Sequence, residues 1–332
     1  MAGVDLNTYT FDYDLTFAVL LMNADGTIYH RYGGRDGNSA MSRMSMSSLI
    51  KVMKETLADH AAYQKNPSPP KAKPKESIEQ MPSMAQKLKK NPKQCFHCHM
   101  VYDGRREIAK QKRQWSRDEI YKWPLPDQIG LYLDREDQPL VKGVKAKSAA
   151  SSAGLKAGDR LLKLKGQHIR TQTDVQWVLE NTSSDSARLS AEIERNGRSR
   201  KGHLTLKSGW KKSDPKTVGW RASIWSLSPK PGFGGEKLKP WELKKLGLDK
   251  DAFNFRVRYI VTWGQDSYTG RNALKAGIRK GDVVVAVDGK NDFETVMHFH
   301  SWYRLTRKPG STAQFKIIRN GKRMTINLPI QK

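Results

Sequence analysis

The residues best able to do chemistry stand together in Cys95-Phe96-His97-Cys98-His99. In a C-x-x-C-H run the two thiols can add to the vinyl groups of a haem while the following imidazole ligates its iron. The spacing has a physical cause: on one helical turn the thioether positions straddle the porphyrin edge and His99 points at its centre. The chain holds 8 histidines in 332 residues, so a histidine follows a given C-x-x-C by chance about once in forty. The expected cofactor is therefore haem c, bound by Cys95, Cys98 and His99, with His99 on the iron. Met84 is the candidate sixth ligand, and Met81 could fold back in its place. His298 and His300 are further candidates, read as ordinary packing because they sit mid-helix.

Two other chemistries compete for the motif. A thiol-disulfide oxidoreductase using Cys95 and Cys98 would want a helix N-terminus to lower one thiol's pKa, with a strand ahead of it. No such strand lies upstream. A zinc site would need a fourth ligand besides two cysteines and His97 or His99, and no partner histidine follows at the usual spacing.

Haem would also supply a core to residues 80–125, where Met81, Met84, Phe96, Tyr102, Trp115 and Trp123 stand among many charges. One-electron transfer would follow. The chain shows no paired carboxylates, no nucleophile with a placed base and no phosphate loop, which favours an electron carrier or binding protein over an enzyme. Lys87, Lys89, Lys90, Lys93, Arg105 and Arg106 could steer an acidic redox partner, or form a solvated face.

Sixty Lys and Arg against 33 Asp and Glu give a formal charge of +27, a pI near 10.0 and a mean hydropathy of -0.72. That balance favours acidic partners. No zinc-finger spacing, basic zipper or RNA-recognition signature is present, so no specific nucleic acid is expected. Two cysteines are too few for a disulfide scaffold. The longest apolar run, Phe17 to Met22, is far short of the roughly 20 residues that cross a bilayer, so no transmembrane segment is expected. Residues 1–6 have no basic or apolar leader region. Because covalent haem attachment happens outside the cytoplasm, the haem reading expects a periplasmic or otherwise extracytoplasmic protein whose leader this sequence lacks.

The elements that must position these residues begin with a strand over 15–22, the turn Asn23-Ala24-Asp25-Gly26, a strand over 27–32 and a helix. Ser45 or Ser48 would cap that helix, and Leu49, Met53, Leu57 and Ala61 would form its apolar stripe. The run Phe17-Ala18-Val19-Leu20-Leu21-Met22 with its turn and Thr27 resembles the C-terminal ββα half of a thioredoxin-like domain. The resemblance covers about 50 residues. The CxxC-bearing first half and the cis-proline before the first strand are absent, which implies a partial thioredoxin-like module over 1–63. The alternative is a small α+β module in its own right. Residues 64–79 read as a Pro/Lys-rich linker. Residues 80–123 read as a short helical segment carrying the CxxCH motif, with one helix over 82–90 opening on Pro82 and another over about 101–112.

The last 200 residues contain a repeat. Ala153-Gly154-Leu155-Lys156-Ala157-Gly158-Asp159 recurs 123 residues later as Ala276-Gly277-Ile278-Arg279-Lys280-Gly281-Asp282, and Arg195-Asn196-Gly197 recurs as Arg319-Asn320-Gly321. Each copy reads as strand, turn, apolar strand, capped helix and final hairpin. In the first, Thr173 and Gln176 read as a capping box. This pattern resembles the bacterial PDZ family, and the segment Leu238 to Leu248 resembles an insertion of PDZ domains in periplasmic trypsin-like proteases. The protease itself is not expected: Gly37-Asn38-Ser39 lacks the glycines of a serine-nucleophile loop, and residues 1–120 are too few for a double β-barrel.

The resemblance implies two tandem PDZ domains, over 124–209 and 215–332, in an α+β multidomain protein. Their partners would be protein C-termini or extended peptides, added as a strand with the carboxylate held by a glycine loop. The loops would be Ile129, Gly130 and Leu131 in the first copy and Val218, Gly219 and Trp220 in the second. Helices near 175–180 and 293–302 would form the other groove wall. The competing reading is a cofactor-free PDZ scaffold whose grooves are blocked by their own chain. The whole chain resembles thioredoxin/PDZ fusion proteins of bacterial envelopes.

Overall fold

Gly26, at φ +90°, lets the chain reverse between Ala18–Met22 (β1) and Ile28–Gly33 (β2), which pair antiparallel with Leu20 opposite Arg31. The computed structural model describes residues 1–331. They divide into two compact units, one from Met1 to Ser213 and one from Asp214 onward. Each is a mixture of helices and mainly antiparallel strands.

After the hairpin, helix α1 (Met46–Lys65) starts at Ser45, whose hydroxyl accepts from the Ser48 amide. Its buried row is Ser48, Val52 and Thr56, held to the hairpin by Tyr32, whose hydroxyl lies 2.8 Å from Ser48 Oγ. Of the expected stripe Leu49 packs against this row while the rest is turned outward: Met53 is 50% and Leu57 71% exposed. Periodicity named the right helix but only part of the inner face, because Tyr32 is met by Val52, Leu49 and the Ser48 hydroxyl rather than by Met53 and Leu57.

Residues 66–75 have no regular secondary structure and are exposed. Helices α2 (Pro82–Lys90) and α3 (Met100–Gln111) follow. They enclose an apolar cluster of Leu6, Tyr13, Ile78, Met84, Phe96 and Val101, so the N-terminal segment completes the core beside the cysteines.

The first repeat contains β3 (Leu131–Leu133), β4 (Val141–Val144), α4 (Ala149–Ser152), β5 (Arg160–Leu164), β6 (Gln167–His168), α5 (Gln172–Glu180), β7 (Ala187–Arg195) and β8 (Arg198–Leu206). The strands form a β3-β4 pair and a sheet of order β6-β5-β7-β8. Helix α5 is capped by Thr171, which accepts from the Asp174 amide. The expected box fails because Thr173 donates instead to Gly33 O at 3.0 Å and Gln176 to Trp123 O at 3.1 Å.

Strand β2 lies along α5. His30 bridges Asp174 and Asp59, each at 2.9 Å, the Arg31 amide donates to Asp174 at 3.0 Å, and the Arg31 guanidinium stacks 3.7 Å over Trp177. Burial disfavours charge on the His30 ring, but the two carboxylates outweigh it and raise its pKa to about 9.

The second unit holds α6 (Pro215–Val218), α7 (Ala222–Trp225), β9 (Phe233–Glu236), α8 (Pro240–Lys245), β10 (Phe255–Ile260), α9 (Ser267–Ala276), β11 (Val283–Val287), α10 (Val296–Thr306), β12 (Thr312–Arg319) and β13 (Lys322–Pro329). Its sheet runs β13-β12-β11-β10-β9, with β9 at one edge. Phe233, Phe253, Phe255, Phe293, Phe299 and Phe315 fill the core. The insertion carrying α8 packs Leu238 and Leu243 on Val283 and Ile318.

Candidate functional site

Cys95 is exposed, Cys98 is half-buried, and neither is in a disulfide. They lie between α2 and α3, with His99 at the N-cap of α3 and its ring stacked on His97 at 5.9 Å. His99 Nδ1 is 3.9 Å from Asp103 Oδ2, beyond hydrogen-bond range, and is buried without a hydrogen-bond partner. Cys98 borders a cavity of about 320 Å³ with apolar walls from Met1, Val4, Phe11, Leu15 and Leu20.

The features that a thioether-anchored haem would use are the unbridged thiols, the unsatisfied Nδ1 of His99 and the apolar space beside Cys98, which Cys95 and His99 do not line. Met84 is 2% exposed and serves as core beside Ile78 and Phe96. Met81 lies where a Cβ on Gly104 would stand. Among the described residues no group of His, Cys, Asp and Glu converges as a metal-ion site, which leaves zinc short of ligands.

Of the basic residues near the motif, Lys87, Lys89, Lys90 and Lys93 are exposed. Arg105 pairs with Glu76 at 3.1 Å and Arg106 with Asp103 at 3.3 Å, so the arginines have partners within the chain.

In the first repeat, Gly130 has φ +80°, and an added Cβ would overlap Ser148. The glycine is required twice, for its backbone and for its lack of a side chain. Its amide donates to Asp127 O and its carbonyl accepts from Lys145 N, both at 2.9 Å. The side chains of Ile129 and Leu131 are buried at 2% and 1% exposure, so only their backbone could face a ligand.

The second repeat differs from expectation. Gly219 is in a right-handed helical turn, φ -60° and ψ -22°, closing α6. Val218 and Trp220 are buried beside it, and β9 does not begin until Phe233. The glycine equivalent to Gly130 is Gly232, at φ +82°, whose carbonyl accepts from Val261 N at 2.8 Å. The misplacement followed the wrong glycine. The signal that identifies the right one is Lys230-Pro231-Gly232-Phe233, a glycine directly ahead of an apolar strand residue. Pro231 also removes one backbone donor from that turn.

Both repeats are PDZ domains: the PDZ domain family (PDZ_2) matches residues 128–206 and 270–330. The chain is 25% identical over 198 residues to a "Probable periplasmic serine endoprotease DegP-like" of Marinomonas sp. (strain MWYL1), covering 60% of this chain and 38% of that protein. It is 36% identical over 98 residues to "Regulator of sigma-E protease RseP" of Escherichia coli (strain K12), covering 29% of this chain and 21% of that protein. A solved "HtrA-type protease AlgW with decapeptide" aligns at 16% identity and TM-score 0.25, over 43% of this chain and 49% of that one. The chain thus spans well under half of the curated relatives it matches. Among the described residues, no helix is long and apolar enough to cross a membrane.

Proposed function

We propose that this chain is a recruitment protein of the bacterial envelope, whose PDZ domains bind protein C-termini or extended peptides. The observation that carries the reading is β9, an edge strand that starts at a left-handed glycine beside α10 and has only one hydrogen-bonded neighbour, β10. Main-chain pairing along such an edge gives affinity, and alternate side-chain pockets give specificity. The names of the relatives support a protease-linked, extracytoplasmic setting. Fluorescence anisotropy with decapeptides ending in a free carboxylate or an amide tests it. Free-acid peptides should bind and amidated ones should not. Binding of neither class would sink the reading.

A second reading is favoured by the unsatisfied His99 nitrogen and the apolar cavity at Cys98. Cys95 and Cys98 would anchor haem c and His99 would hold its iron. Haem bound there supplies one-electron transfer. Lys87, Lys89, Lys90 and Lys93 would orient an acidic redox partner, and Phe11, Leu15 and Leu20 would exclude water. Protein matured with a haem-attachment system should give a pyridine haemochrome band, lost in Cys98→Ala. Colourless protein with a reversible Cys95-Cys98 disulfide would favour thiol exchange instead. The free edge of β1 and the exposed row Met46, Ile50, Met53 and Leu57 support the partial thioredoxin-like reading of residues 1–63.

A further inference from the structure

A tryptophan stands seven residues before each left-handed glycine: Trp123 before Gly130 and Trp225 before Gly232. Each meets the fifth residue of its domain's groove helix, Trp123 through its backbone carbonyl and Trp225 through its ring. In the first domain Gln176 donates to Trp123 O at 3.1 Å, and the Trp123 amide donates to Glu180 at 2.7 Å. In the second, the Trp225 ring lies 5.6 Å from His300, with the Arg304 guanidinium 4.7 Å above it. Its Nε1 donates to Gly219 O at 3.2 Å.

The fifth residue of each helix shares a row with the first and eighth. The last member of each row shares an apolar cluster with a residue of the edge strand, Leu179 with Leu131 and Tyr303 with Phe233. A peptide added to β3 or β9 would run along this row. Gln172, Gln176 and Leu179 are all buried, as are His300 and Tyr303, while Val296 is half-buried. In the second domain α10 therefore already has a side chain of its own chain, Trp225, against a residue that an incoming peptide would meet.

The two domains differ at this place: the Trp123 ring meets Trp177, outside the row, at 5.7 Å. Trp123 is 4% exposed, and β2 covers the outer side of α5. Trp225 is half-buried on the short helix α7. Its surroundings select planar rings: a guanidinium face attracts an aromatic π-system, and burial holds His300 neutral, its pKa pushed down to about 3.

We propose that Trp225 is a built-in occupant of the second PDZ domain, and that the domain opens to extended peptides with an aromatic C-terminal residue, which displaces the indole between His300 and Arg304. The proposal rests on the peptide-binding reading above and names its ligand class. The closed form reduces apparent affinity by the fraction of molecules that are open.

Full-length wild type, Trp225→Ala and Trp225→Phe would be titrated with labelled decapeptides ending in Phe or Ala. Trp225→Ala should bind the Phe-ended peptide at least about tenfold tighter than wild type does, with no such gain for the Ala-ended one. Trp225→Phe should stay near wild type. Amide exchange over residues 222–228 of wild type should rise on saturation with the Phe-ended peptide, a readout independent of whether Trp225→Ala folds. Equal binding by all three proteins, or unchanged exchange in the saturated complex, overturns the proposal while leaving peptide recruitment intact. Binding by none overturns both.

Discussion

Arg319 reaches from the final hairpin to Asp282, its Nε donating to Oδ1 at 2.7 Å, and its Nη2 donates to Gly277 O at 2.6 Å. Arg195 makes the same two contacts in the first domain, to Asp159 at 2.6 Å and to Gly154 O at 2.8 Å. The carboxylates are almost wholly buried, and each also closes its own turn by accepting an amide at 2.8 Å, from Arg279 in one case and Lys156 in the other. The two repeated strings, A-G-h-x-x-G-D and R-N-G, are thus halves of one clasp.

Arg319→Ala should therefore destabilise the second unit by about 3 kcal/mol, because it leaves a buried carboxylate without its counter-charge. Urea unfolding followed by circular dichroism reads this. A loss below about 1 kcal/mol would show that water replaces the guanidinium.

The stability of the first unit should fall as pH rises. His30 has a folded pKa of about 9, against about 6.5 in an unfolded chain. A raised value means the contribution is complete below about pH 6.5 and lost as pH passes through about 9, up to about 3 kcal/mol. Thermal unfolding of wild type and His30→Gln across that window checks the sign. The variant should show a flatter dependence, and an equal slope in both would refute the assignment.

Two glycines of similar backbone should respond differently to alanine. Gly277, at φ +103°, has open space where a methyl group would project, so Gly277→Ala should cost about 1–2 kcal/mol of backbone strain alone. Gly130→Ala should cost more, by about 1–3 kcal/mol, since its methyl group meets Ser148. Equal losses in denaturant unfolding would contradict the packing at Ser148.

Helix α1 offers a test of which face is inside. Val52→Ala should cost about 1–3 kcal/mol, whereas Leu57→Glu should change stability by less than about 0.5 kcal/mol. A large loss at Leu57 would restore the stripe read from periodicity.

The PDZ repeat was legible because its turn strings are local and glycine-dependent. The hairpin turn, the Ser45 cap and the start of α2 at Pro82 were legible for the same reason. What escaped was set by contacts distant in sequence. Thr173 looks like a cap until Gly33, 140 residues away, accepts from its hydroxyl. Gly219 looks like a strand-leading glycine until α10 is packed on it, with Met297 and Ser301 3.2 Å from where a Cβ would stand. The paired tryptophans were visible in the sequence, but their meaning depended on seeing which helix each one meets.

The seating of β2 on α5 decides where the chain can be cut. Asp174 and Thr173 take partners from residues 30–33, so a fragment trimmed back to the first PDZ domain would expose a helix stripped of its neighbours and prone to stick to other copies. A fragment that keeps the hairpin, ending near Ser213, is the smaller piece to purify and crystallise.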